Sequence, residues 1–257
     1  MKLATWNVNS VRQRERHVTA FLDRVKPDLL LLQELKCEEG NFPGLAFSAN
    51  GYRAEVVGQK SYNGVAILSR APVRVVNRSL PGLPEGDAQA RFIEIEVGGI
   101  HVINGYMPNG NSGGADGFAY KIAWLNLLAD HAERLLATDT PLIIAGDYNV
   151  CPTDEDYASG ALNKNDALLR PESRAAYRRL IWLGLLDSVR ALQPTGTAYT
   201  FWDYQAGAWP RDLGLRIDHV LLSPTLGERL ASVSIERRER GEDQPSDHVP
   251  VVVELTD

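Results

Sequence analysis

The chain reads as an α/β protein with two mixed β-sheets covered by helices. Three observations predict this. Apolar strands alternate with helix-period segments, at least one pair of strands is joined by a tight glycine turn, and no linker divides the pattern. A chain of 257 residues with 44% apolar content can bury a large core. It carries no Pro/Ser linker, low-complexity tract or clear repeat, so residues 1–257 read as a single domain.

The elements follow in order. Lys2–Trp6 alternates as a strand, and Val18, Phe21, Leu22 and Val25 then recur at helical spacing. Pro27-Asp28 breaks that helix, and Leu29–Leu32 returns as a fully buried strand ending in Gln33-Glu34. Shorter strands are expected at Gly64–Ser69, Val73–Val76, Arg91–Val97 and Ile100–Tyr106, with Gly98-Gly99 as a hairpin turn. Helical spacing resumes over Phe118–Leu136 and is followed by the strand 141–145. Residues 151–170 are polar and irregular, and a helix near Glu172–Leu183 is closed by Gly184. Asp187–Leu192, Tyr199–Trp202, Arg216–Leu222, Ala231–Glu236 and Val249–Leu255 read as late strands or short helical turns. Five strands thereby present a polar group at their C-terminal ends: Asn7, Glu34, Tyr106, Asp147 and Asp218. Clefts at such ends are where α/β sheets place ligands.

Composition removes several function classes. No run of eighteen apolar residues exists, so no membrane span is expected, and Met1–Asn7 has no long apolar signal core. Cys37 and Cys151 belong to no paired spacing, which favours free thiols in a reducing cytoplasm over a disulfide framework or a zinc site. The net charge of −6 does not advertise a polyanion partner. A metal-dependent nuclease is the exception, because acids gathered around a cation lower the count without repelling phosphate. Arg170, Arg174, Arg178 and Arg179 cluster near Lys164, either as a solvated helix face or as phosphate contacts.

The stretch Ala145-Gly146-Asp147-Tyr148-Asn149 is the most informative. A buried strand stops at a glycine, and a carboxylate and a carboxamide then follow two residues apart, able to face one object. Asp–x–Asn is ordinarily turn chemistry. It also suits a phosphoryl centre, where one group handles a proton or metal and the other bonds an oxygen without adding charge.

Further motifs accompany it: Trp6-Asn7-Val8-Asn9, Leu32-Gln33-Glu34-Leu35-Lys36, Gly105-Tyr106-Met107-Pro108-Asn109-Gly110, Leu215-Arg216-Ile217-Asp218-His219 and Ser246-Asp247-His248. In this order and over essentially the whole chain they resemble the exonuclease III family of apurinic/apyrimidinic endonucleases, within the endonuclease/exonuclease/phosphatase superfamily. The resemblance implies a four-layered α/β sandwich with the site where the loops of the two sheets converge. It implies a Mg²⁺-dependent phosphodiesterase, with Mn²⁺ as a substitute. Such an enzyme cuts DNA 5′ to abasic sites, cleans damaged 3′ ends and degrades duplex DNA from 3′ ends; a monomer is expected.

The site residues follow. Glu34 is a lone carboxylate at a buried strand end, which a hard cation would satisfy. The resemblance adds Asn7, Asp147, Asn149, Asp247 and His248 to the metal region. Some relatives carry an acid where this chain has Asn9, so Asn9 is not counted as a ligand. Asp218 is implied as the partner of His248, fixing its tautomer and raising its basicity. Either His248 or Asp147 then serves as the base, and Asn149 stabilises phosphoryl oxygens as an uncharged donor. Tyr106 with Asn109 resembles the abasic-site nucleases rather than lipid phosphatases, where histidine occupies the corresponding place. Phe201 and Trp202 resemble the family's pocket for a base-less sugar, with Trp209 as a further wall or a core residue, and Arg174 and Arg178 as strand contacts. Two other readings compete. A phosphatase of lipids or small phosphoesters is disfavoured by Tyr106 and the Phe201-Trp202 pair. A silent DNA-binding module is disfavoured by the joint presence of Glu34, Asp147, Asn149, Asp218 and His248.

Overall fold

A computed structural model describes residues 1–256. The first half contains β1 (Lys2–Asn7), α1 (Glu15–Val25), β2 (Leu29–Gln33), α2 (Gly44–Ala49), β3 (Arg53–Val57), β4 (Val65–Ser69), β5 (Arg74–Asn77), β6 (Phe92–Val97), β7 (Ile100–Tyr106) and α3 (Gly114–Leu136). The second half contains β8 (Leu142–Asp147), α4 (Pro171–Trp182), β9 (Leu186–Asp187), α5 (Ser188–Leu192), β10 (Asp218–Leu222), α6 (Pro224–Gly227), β11 (Leu230–Ile235) and β12 (Val251–Leu255).

The strands form two six-stranded sheets, ordered β11-β12-β1-β2-β4-β3 and β5-β6-β7-β8-β10-β9. Each has one parallel pair, β1 with β2 and β7 with β8. Alternation along the strands explains the layering. Leu3, Leu29, Leu31, Val65 and Ile67 of the first sheet meet Ile93, Val102, Ile143 and Val220 of the second in one shared core. The opposite faces are equally apolar. Trp6, Leu30 and Leu32 pack under Val18, Phe21 and Leu22 of α1, while Ile103, Leu142 and Ile144 pack under Trp124, Leu128 and Leu180 of α3 and α4. The result is a four-layered sandwich, helix–sheet–sheet–helix. The leucine run of β2 is unbroken because both of its faces are covered.

Four differences from the sequence reading have physical causes. Helix α2 and strand β3 were not foreseen, since α2 buries only Phe47 and β3 is an edge strand without clear alternation. Helix α3 begins at Gly114, four residues before the first apolar signal at Phe118. Tyr199–Trp202 is not a strand, and Phe201 makes only isolated bridges to Leu215 and His248. Asp218 opens β10 rather than closing a strand; because β10 runs antiparallel to β8, its first residue lies beside the last of β8.

No helix among the described residues is long and apolar enough to cross a membrane. Cys37 and Cys151 are buried free thiols.

Candidate active site

The two parallel pairs aim their C-terminal ends at one edge of the sandwich, and the site is assembled there. Parallel register sets Asn7 beside Gln33 and Tyr106 beside Asp147. Gly146 adopts φ 144°, and a Cβ there would overlap the Gly105 carbonyl oxygen on the paired strand. Glycine therefore lets β8 stay close to β7 up to Asp147. The chain then turns, with Asn149 in left-handed backbone at φ 50° and its N–H donated to Asp147 Oδ1 at 2.9 Å.

Asp147 and Asp218 are direct cross-strand partners, so two buried carboxylates stand side by side. His248 lies between them. Its Nδ1 is 2.9 Å from Asp218 Oδ2 and its Nε2 is 3.7 Å from Asp147 Oδ2. Thr200 Oγ1 donates to Asp218 Oδ2 at 2.6 Å, and the Asn7 amide donates to both Asp147 and Glu34 at 3.0 Å. Burial disfavours a charged ring at His248, but Asp218 and Asp147 outweigh it and raise its pKa. Burial also raises the pKa of Asp147, reinforced by Asp218 and opposed by His248 and the Asn7 hydrogen bond. Tyr106 is pushed well above the usual phenol range by burial and by Glu34 and Asp147, so its hydroxyl remains a proton donor.

Glu34, Tyr106, Asp147 and His248 line a cavity of about 260 Å³ with two unlike walls, while Asn7, Thr200 and Asp218 stand behind its lining. Glu34, Asp147, Asn149, Asp247 and His248 make the polar wall, and Leu162, Leu168, Phe201, Leu215 and Ile217 the apolar one. Phe201 packs its ring against His248, centroids 4.9 Å apart, at the seam of the two walls. Asn109 also reaches the cavity, where its amide donates to Asn149 Oδ1 at 2.8 Å.

The sequence reading is corrected at Trp202. It is fully buried, donates to Asp212 at 2.9 Å and packs against Trp209 at 4.8 Å, away from the cavity. Adjacent residues in extended chain face opposite sides, so the turn that presents Phe201 hides Trp202. Trp209 lies behind Trp202, under the Arg237 guanidinium, and is absent from the cavity lining. Arg174 binds the Cys151 carbonyl and Asp154, and it lines a neighbouring hollow of about 440 Å³ rather than the cavity itself. Arg178 is exposed on the same helix.

Asn7 is placed as an orienting group. Its amide oxygen accepts the Asn9 backbone N–H at 3.0 Å while its nitrogen bridges two carboxylates. Sequence reasoning missed Thr200 and Lys36. Lys36 pairs with Glu34 at 2.9 Å and donates to Asn9 Oδ1 at 2.6 Å. The need of Glu34 for a cation was the signal that could have found Lys36; nothing local marks Thr200. Ligand atoms of Asp147, Asp218 and His248 lie within 4.8 Å of one another, a buried acid–histidine cluster able to hold a metal. His248 and Asp218 already satisfy each other, so the oxygens of Glu34, Asp147 and Asp247 are the better donors for a hard cation.

The model of the Endonuclease/Exonuclease/phosphatase family matches residues 4–248. The chain belongs to this family. It is 36% identical to the exodeoxyribonuclease III of Haemophilus influenzae, over 99% of this chain and 100% of that one. Two solved structures superpose over 100% of both chains. One is a 3′ phosphatase from Neisseria bound to a product DNA hairpin, with TM-score 0.95 and 37% identity. The other is an AP endonuclease from Archaeoglobus fulgidus, with TM-score 0.94 and 35% identity. This family member is a DNA repair nuclease of the exonuclease III kind, a phosphodiester hydrolase.

Proposed function

We propose that this nuclease cuts DNA on the 5′ side of abasic sites, leaving a 3′-hydroxyl, and that the same site removes 3′ blocking groups and terminal nucleotides. The observation that carries this reading is the cavity with its two walls. An apolar wall closed by Phe201 accepts a deoxyribose without its base, and shape excludes a nucleotide that keeps one. The polar wall then faces the phosphate of that sugar. The same reading has the protein act as a monomer.

Mg²⁺ suits the site, with Mn²⁺ as a substitute. Glu34, Asp147 and Asp247 would hold it, and when bound it would neutralise charge on the phosphate oxygens. The chain's own residues do the rest. Asp218 fixes the ring of His248, and the remaining nitrogen presents a proton or a positive charge to the phosphate. Asn149 uses one amide hydrogen on the Met107 carbonyl at 2.9 Å and keeps the other for a phosphoryl oxygen. Water attacks phosphorus, the bond from phosphorus to the upstream 3′ oxygen breaks, and that oxygen takes a proton. His248, its basicity raised by Asp218, is placed to exchange that proton, and Tyr106 donates to the phosphate without ionising.

The test is a duplex carrying one abasic analogue, incubated with Mg²⁺ or EDTA and resolved for cut position and end chemistry. A Mg²⁺-dependent cut on the 5′ side with a 3′-hydroxyl is expected. Cleavage only from 3′ ends would restrict the enzyme to exonuclease and end-cleaning work.

A further inference from the structure

Lys121 projects from α3 and is fully buried, yet no carboxylate lies in ion-pair contact with it among the described residues. An ammonium in such a place is costly unless it is well hydrogen-bonded. Its Nζ donates to two backbone carbonyls, that of Asn149 at 2.6 Å and that of Asn109 at 3.0 Å. These belong to the two residues whose side chains bond each other at the mouth of the site. The two loops otherwise come from different strands, β7 and β8. Asn149 holds a left-handed backbone that few non-glycine residues adopt. Gly110 leaves room for the lysine stem: a Cβ there would sit 2.6 Å from Lys121 Cδ. The sequence pair Asn109-Gly110 thus serves two needs, an amide for Asn149 and an empty place for Lys121.

We propose that Lys121 is a positioning residue for the phosphodiester hydrolysis. It pins the Asn109 and Asn149 loops together from beneath, so that the Asn149 amide keeps a fixed direction toward the phosphate. A neutral side chain of the same volume would fill the space and leave two buried carbonyls without a donor. The Asn149 loop would then relax, and the hydrogen bond that grows strongest in the transition state would lose alignment. The inference rests on the role given to Asn149 above.

The experiment is a double-mutant cycle of Lys121→Met and Asn149→Ala, read as kcat and as affinity for an abasic duplex, with thermal unfolding of every variant. Lys121→Met is expected to lower kcat about 10- to 100-fold, as groups orienting a reacting side chain do. DNA affinity should stay within about threefold. In the Asn149→Ala background the same substitution should cost less than about threefold, because the group it positions has gone. Equal losses in the two backgrounds, or native kcat in folded Lys121→Met, would overturn the proposal. Should Lys121→Met fail to fold, Lys121→Arg keeps the charge while displacing the donors and takes its place in the cycle. A loss confined to the background with Asn149 supports the proposal; equal losses, or full activity, would assign the lysine to folding alone. A native enzyme inactive on the abasic duplex would instead overturn the proposed function, and the cycle is then read on 3′-end hydrolysis.

Discussion

In two buried clusters on the second sheet a carboxylate contacts a histidine directly, and members of only one of them line the cavity of the site. Around Glu94 on β6, His101 Nδ1 stands at 2.6 Å, His131 Nε2 at 2.9 Å and the Asn77 amide at 2.6 Å. Burial would raise this acid, but hydrogen bonds from His131, His101 and Asn77 overcome it and hold the pKa at about 2. Two strands away in the sheet the stoichiometry is reversed. Asp147 and Asp218 share one imidazole, and Glu34 and Asp247 stand on the same wall. Where donors match acceptors the network is complete and structural. Where carboxylates outnumber their partners beside open space, the deficit is a demand for a cation or a proton, which is what phosphate chemistry supplies.

The sharpest break in the comparison is removal of one acid–base pair at each end. His248→Ala and Asp218→Ala should each lower kcat roughly 10³-fold, with the double variant little slower than either. Glu94→Gln should leave kcat near native and lower the melting temperature. Additive losses at His248 and Asp218, or a silent Glu94→Gln melt, would blur the distinction.

Phe201 and Trp202 repeat the contrast between neighbours. Trp202→Ala empties a fully buried site and should cost about 3–5 kcal/mol of stability, measured by denaturant unfolding. Phe201→Ala should cost about 1–3 kcal/mol in kcat/KM for abasic duplex, and much less for a small diester that does not fill the apolar wall. Equal loss on both substrates would make Phe201 structural.

Acid unfolding tests the Glu94 network directly. Its folded pKa of about 2 lies below the ordinary 4.5, so its contribution is fully present above pH 4.5 and disappears as pH falls toward 2. The loss is on the order of 3 kcal/mol, and Glu94→Gln should lack that component of the acid limb. The smallest effect is expected at Arg178. If this exposed residue touches a strand phosphate, Arg178→Ala lowers the slope of log affinity against log salt by roughly one. An unchanged slope returns it to a solvated face.

Much of this arrangement was legible in the chain, for identifiable reasons. Asn7, Glu34, Tyr106 and Asp147 stand at the ends of apolar runs, where a polar residue is conspicuous, and the brought-together cluster contains all four. Strand direction is invisible to such patterns, which is why Asp218 was placed at the wrong end of its strand. Phe201-Trp202 looked like one aromatic wall because composition does not tell which face of an extended segment meets the cavity. Thr200 and Lys121 have no local signature, because their partners lie far away in sequence and are found only through tertiary packing.

The pairing of β1 with β12 has a temporal meaning. Asp247 and His248 sit on the approach to β12, and they reach the site as that strand pairs alongside β1, with Lys2 opposite Glu254. On the ribosome, Asn7, Glu34, Asp147, Asn149 and Asp218 are all synthesised before the imidazole appears. A chain stopped after residue 245 is expected to be inert toward DNA, whatever the order of its sheets. With the roles proposed for Asp247 and His248, hydrolysis is expected to begin only after β1 and β12 pair across the length of the chain, a slow step by its contact order.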